Sequence, residues 1–182
     1  DCSSRGLGDV YKRQLLDSLK DIDKKIITIM ITSDKVYDNL EWPWGYREND
    51  RLGGKDPYSA SKGMAELAIR SYVKSFFSTA GSNVRVGISR AGNVIGGGDW
   101  AADRIVPDCM VAWSNDKIVK IRSPHATRPW QHVLEPLSGY LCLAQNLNLN
   151  IENHGEAYNF GPPSDHNYSV GALIEEMSKS WN

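Results

Sequence analysis

From Leu15 onward the apolar and polar positions alternate between a helical period and strand-like runs. Leu15, Leu16, Leu19 and Ile22 fall at helical spacing, and KKIITIMIT, ending at Thr32, reads as a buried strand. Residues 33–57 are rich in Asp, Asn, Gly, Pro and Trp without any period, which predicts a long loop, and long loops in compact domains are often functional. Asp56 followed by Pro57 has the form of an N-cap with proline in the first helical position. A helix is therefore expected from there to about Phe77, burying Met64, Leu67, Ala68 and Tyr72. Val84, Val86 and Ile88 alternate as in a half-buried strand ending near Arg90, and the glycine-rich turn AGNVIGGGDW follows. Downstream the pattern predicts a helix over about 103–113, a short strand KIVKI, a helix over about 134–148, a strand AYNF, and a helix capped by Ser169. Helix and strand in alternation imply an α/β fold, the second half of a doubly wound parallel sheet. The first fourteen residues, DCSSRGLGDVYKRQ, show neither period and are read as a non-native leader outside the fold.

Composition narrows the function classes. Of 182 residues, 41% are apolar and 24% charged, as in an ordinary globular protein. A net charge of -1 and a pI near 6.5 leave no basic field for a nucleic-acid backbone or an anionic membrane, so neither partner is expected and any anionic ligand must be held by local cations. The longest apolar runs are too short to cross a bilayer, and the mean hydropathy of -0.44 agrees. Cys2, Cys109 and Cys142 are an odd number at wide spacing with no CxxC pair, which fits a reducing cytoplasm, with Cys109 and Cys142 read as small core residues. His125, His132, His154 and His166 show no ligand spacing, so no metal is expected.

Three segments carry candidate chemistry: TSDKVYD after the first strand, YSASK opening the long helix, and SRAGNVIGGGDW after the next strand. Ligands of open α/β sheets bind outside the carboxyl ends of the strands, so these segments should converge. Tyr58 and Lys62 stand four apart and share a helix face. A phenol is a poor base at neutral pH, and an ammonium beside it favours the phenolate. This pair alone is a weak signal, met equally on a solvated helix face. Ser33, a hydroxyl at a strand end, adds a group able to share a substrate oxygen's proton with the tyrosine.

Ser33, Tyr58 and Lys62 together resemble the catalytic triad of the extended short-chain dehydrogenase/reductases, and the resemblance covers the chain from Leu15 onward. Asp34 and Lys35 follow Ser33 directly, where the nucleotide-sugar 4,6-dehydratases of that superfamily place a proton donor and a proton acceptor. Lys35, in place of the glutamate of the dTDP-glucose enzymes, is similar to the CDP-glucose 4,6-dehydratases. The resemblance implies NAD as cofactor, a nucleotide sugar, CDP-glucose, as substrate, and dehydration to the 4-keto-6-deoxy sugar. It implies that Asn93, within R-x-x-N-x-x-G from Arg90 to Gly96, contacts the sugar nucleotide, with Ala91 and Gly92 beside the nicotinamide. It implies further that Arg128, in RPWQHV, clamps the diphosphate, and that Arg104 lies near the nucleotide. Gly96, Gly97 and Gly98 do not form GxGxxG and are not read as a phosphate loop. Trp42 and Trp44 either wall the sugar pocket or anchor the long loop.

The expected organisation is residues 15–92 as the later part of a Rossmann NAD-binding domain, 93–127 as a substrate-binding region, 128–150 as a return to the Rossmann domain, and 151–182 as a C-terminal substrate-binding region. The family's glycine-rich pyrophosphate turn lies upstream of the stretch that this chain resembles. The intact protein is expected to be a cytoplasmic homo-oligomer. The competing readings are a UDP-sugar 4-epimerase, against which Asp34-Lys35 speaks, and an inactive fragment that only binds sugar nucleotide.

Overall fold

The computed structural model describes residues 8–79, 81–101 and 103–181. Its centre is a three-stranded parallel sheet in the order β1 (Ile26–Ile31), β2 (Val84–Ala91), β6 (Ala157–Phe160). Ile26 pairs with Val84 and Ile31 with Ser89, while Ile88 to Ala91 pair with Ala157 to Phe160. Between these strands the chain forms α2 (Pro57–Tyr72), the two-residue strand β3 (Val94–Ile95), α3 (Ile105–Trp113), β4 (Thr127–Arg128), β5 (Gln131–His132) and α4 (Leu134–Leu149). The helix α1 (Gly8–Leu19) precedes the sheet, and β7 (Tyr168–Ser169) with α5 (Val170–Ser178) follows it.

The core forms where α1 and α2 lie on one face of the sheet: Leu16, Leu19, Met30, Ile69, Val73, Phe77, Val84, Val86, Ile88 and Ala157 pack into one cluster. On the opposite face α4 brings Leu143 and Leu147 against β2, where a Cβ on Gly87 would stand 2.9 Å from Leu147 Cδ1 and 3.0 Å from Leu143 Cδ2. The glycine lets that helix approach closely. Central position explains why β2 is buried along most of its length rather than on alternate residues as expected for a half-buried strand.

Several expectations hold. Asp56 caps α2, its Oδ1 accepting from the Tyr58 and Ser59 amides at 3.0 and 3.1 Å. Ser169 caps α5 by accepting from the Ala172 amide at 3.1 Å. Strand AYNF joins the main sheet, although it lies beyond residue 150, where the Rossmann segment was expected to end. Others fail. Residues 1–7 lie outside the described residues, but α1 already begins at Gly8, so 8–14 are helical rather than without period. In that helix Leu16 and Leu19 are buried while Leu15 is exposed, as is Ile22 just beyond it. On α2 the buried residues are Ser59, Ser61, Gly63, Ala65, Glu66 and Ile69, whereas Met64 and Leu67 are more than half exposed. The inward face is built of small side chains and one carboxylate that finds its partners inside, a pattern apolar periodicity does not detect. KIVKI forms no strand among the described residues, and Ile118 is 92% exposed. Cys109 is buried as expected, but Cys142 is exposed on the outer side of α4. No helix of the described residues is long and apolar enough to cross a membrane.

His154 gives the fold a pH dependence. Its Nδ1 accepts from the Val86 amide at 3.0 Å while Nε2 lies 3.2 Å from the Phe77 carbonyl, an arrangement that requires the neutral ring. Burial pushes its pKa below the ordinary 6.5. The unfolded chain therefore binds a proton first, so stability is full above about pH 6.5 and is lost as pH falls from there through the folded value. Urea denaturation should show a midpoint that drops between pH 7.5 and pH 5.5, and His154→Gln should flatten that dependence; an unchanged slope in the variant would contradict this assignment.

Candidate active site

The carboxyl ends of β1 and β2 open into a cleft of about 910 Å³. Ser33, Asp34, Lys35, Tyr58, Ala91, Gly92, Asn93, Arg104 and Arg128 all line it. Residues from five separate stretches of chain thus meet at one place, as the convergence of loops at strand ends requires.

Each stretch is positioned locally. After β1, Ser33 is the N-cap of a short 3-10 turn, Asp34–Val36, its Oγ accepting from the Lys35 amide at 3.2 Å and donating to Asp34 Oδ1 at 2.9 Å. Ser33 is buried, Asp34 half-buried and Lys35 exposed, so the dry surroundings that a lysine base needs are not supplied by the described residues. Tyr58 sits in the first turn of α2 and is half-buried, with Lys62 Nζ 5.3 Å from its ring centroid. The ammonium is close enough to act on the ring electrostatically. Lys62 does not itself line the cleft. The capping carboxylate of Asp56, held below its ordinary pKa by the Ser59 hydroxyl and amide and by the Tyr58 amide, fixes the turn that presents Tyr58.

From the end of β2 at Ala91 the chain passes Gly92 and Asn93 into β3, which pairs with β5. The Gln131 amide donates to the Asn93 carbonyl at 3.0 Å, and the Val133 amide to the Ile95 carbonyl at 2.9 Å. A Cβ on Gly92 would fall 2.6 Å from Pro129 Cγ, and one on Gly96 2.7 Å from Val133 Cγ1. These glycines thus serve close approach of two segments, and among the described residues no helix starts after them until Ile105, as the rejection of a phosphate-loop reading anticipates. Arg128, half-buried on β4, donates to its neighbour's carbonyl at Thr127 at 2.7 Å, and Arg104, exposed, stands at the N-cap position of α3.

Lys120 and Arg122 also line the cleft, so its outer wall carries four cations with Arg104 and Arg128. The strand-like alternation of KIVKI hides this role; the signal was the pair of charges in and beside it. Trp42 and Trp44 are not among the lining residues. Trp42 stacks on Tyr46 with centroids 5.6 Å apart, Tyr46 stacks on Tyr37 at 5.0 Å, and Trp44 lies 5.4 Å from Trp42, so these rings anchor the long loop.

Comparison with known proteins places the chain in a family and a fold. Residues 10–161 match the NAD dependent epimerase/dehydratase family. The chain is 47% identical to the CDP-glucose 4,6-dehydratase of Salmonella typhimurium (strain LT2), over 98% of this chain and 50% of that protein. It thus spans about half the length of this curated relative. Among solved structures it superposes on a UDP-glucuronic acid 4-epimerase from Bacillus cereus, in complex with UDP-glucuronic acid and NAD, with a TM-score of 0.79 at 22% identity, covering 94% of this chain and 50% of that one. A dTDP-glucose 4,6-dehydratase from Streptomyces venezuelae, with NAD bound, gives 0.76 at 20% identity, covering 93% and 48%. At these identities the two structures show the fold, a Rossmann-like α/β architecture.

Proposed function

Because this chain belongs to the NAD dependent epimerase/dehydratase family, we propose that it is part of a CDP-glucose 4,6-dehydratase, which converts CDP-D-glucose to CDP-4-keto-6-deoxy-D-glucose and water. The observation that carries the reading is the single cleft that gathers Ser33, Asp34, Lys35 and Tyr58 opposite Arg104 and Arg128. Ala91 and Gly92 line the same cleft as Tyr58 with small side chains that leave room for the nicotinamide end of NAD, so the residues present fit that part of the cofactor. When bound there, NAD would supply the redox chemistry, as acceptor of the hydride from C4 of the sugar and donor of it to C6.

The protein groups handle the protons. Tyr58, with Lys62 beside its ring, accepts the proton of the 4-hydroxyl, and Ser33 shares it. A ketone at C4 acidifies H5; Lys35, exposed among the described residues and covered in the intact protein by bound substrate, removes that proton while Asp34 gives one to the departing 6-hydroxyl. Asp34 already has Ser33 Oγ within 2.9 Å, so the acid and the triad serine act from one turn. Arg104 and Arg128 hold the diphosphate, where a planar guanidinium offers paired donors, and Asn93 contacts the sugar nucleotide. Exposed Met64 and Leu67 on α2 support self-association of the intact protein through that face, and an enzyme of nucleotide-sugar metabolism fits the cytoplasm.

The test is to incubate the intact protein with CDP-, UDP- and dTDP-glucose and follow product mass. Loss of one water from CDP-glucose is expected. Turnover of only UDP- or dTDP-glucose would reassign the base, and inversion at C4 with no mass change would make the protein an epimerase.

A further inference from the structure

Glu66 and Arg90 form an ion pair whose side chains are both 0% exposed, in the interior between α2 and β2 and outside the cleft lining. Glu66 accepts from both Nε, at 2.9 Å, and Nη2 of Arg90, from Arg70 Nη2 at 3.0 Å, and from Thr32 Oγ1 at 3.4 Å. Arg90 Nη1 donates to the Tyr37 hydroxyl at 2.5 Å and to the Glu48 carbonyl at 3.0 Å, with the guanidinium 4.8 Å from the Tyr37 ring centroid. Tyr37 in turn donates to Asn159 Oδ1 at 2.6 Å.

The sequence positions of these partners matter more than their number. Thr32 and Tyr37 bracket the Ser33–Val36 turn on either side. Glu66 lies on the helix that carries Tyr58 and Lys62, one further turn along the same face. Arg90 immediately precedes Ala91, Gly92 and Asn93. One buried pair therefore touches all three segments that deliver the triad, the Asp34-Lys35 pair and the β2 exit. Burying two charges costs much of what their attraction returns, so such a pair is a poor general stabiliser, but its bidentate geometry admits only one relative placement of its elements.

We propose that Glu66, Arg90 and Tyr37 form a positioning cluster that sets the Ser33–Lys35 turn in register with Tyr58 and with the β2 exit. The reaction it serves rests on the function proposed above; the mechanical claim does not. In the intact protein, Tyr37→Phe and Thr32→Val each delete one hydroxyl, and Glu66→Gln keeps the shape but removes the charge. With circular dichroism unchanged, kcat on CDP-glucose should fall about 10- to 100-fold, the cost of a displaced catalytic group. KM should stay within about twofold, because the diphosphate clamp is untouched. Hydrogen exchange should quicken in residues 33–38 and 89–93 of both Tyr37→Phe and Glu66→Gln. If Glu66→Gln does not fold, the two hydroxyl variants decide. Normal kcat with unchanged exchange in those variants, or a loss confined to KM, would overturn the proposal. A wild-type protein that turns over no sugar nucleotide would sink the functional reading instead, and the exchange data would still judge the cluster.

Discussion

Tyr58→Phe in the intact protein should abolish oxidation of the sugar at C4 while leaving the fold nearly unchanged. The substitution removes only the phenolic hydroxyl, which makes no hydrogen bond to another described residue, and it keeps the ring against which Lys62 stands. No packing is lost, and α2 retains its Asp56 cap. The chemical loss is large because a positioned proton acceptor contributes about 10²- to 10⁴-fold, and nothing else lining the cleft at the end of α2 can replace it. Single-turnover absorbance of the reduced nicotinamide after mixing with CDP-glucose reads this step directly, and thermal denaturation checks the fold. Near-normal reduction in the variant would remove Tyr58 from the chemistry and leave Tyr58 and Lys62 as residues of a solvated helix face.

Much of this site could be read from sequence because its signals are local. An aspartate before a proline marks the start of α2, and the Tyr58-Lys62 spacing follows from helical geometry once that start is placed. Apolar runs place β1 and β2, and the residues just past their ends are where such a sheet exposes ligand-binding groups. What escaped depends on distant partners. The inward face of α2 is Ser, Gly, Ala and Glu because Glu66 meets Arg90, 24 positions away, and no period reports such a pairing. The burial of Tyr37, and with it the anchoring of the long loop, depends on Arg90 and Asn159 in the same way. KIVKI alternates like a strand but pairs with none among the described residues, and its lysine at 120 ends in the cleft wall. Glu66 did leave one trace: a carboxylate between Ala65 and Ile69, in step with Tyr58 and Lys62, on a face that otherwise buries small or apolar side chains.

The second large effect separates dehydration from simple oxidation. Asp34→Asn preserves size and can still accept the Ser33 hydroxyl through its amide oxygen, so the 3-10 turn should persist. Ser33, Tyr58 and Lys62 are unaltered, and removal of hydrogen from C4 should survive. What the amide lacks is a transferable proton for the departing 6-hydroxyl, a loss of about 10²- to 10⁴-fold in formation of 6-deoxy product. The most direct measurement combines single-turnover absorbance of the reduced nicotinamide with mass analysis of the sugar released from CDP-glucose. The account predicts that Asp34→Asn accumulates reduced cofactor together with a 4-keto-hexose that keeps its 6-hydroxyl. Dehydration at near wild-type rate by this variant would contradict it, making Asp34 a polar turn residue and returning the chain to an unspecified member of its family.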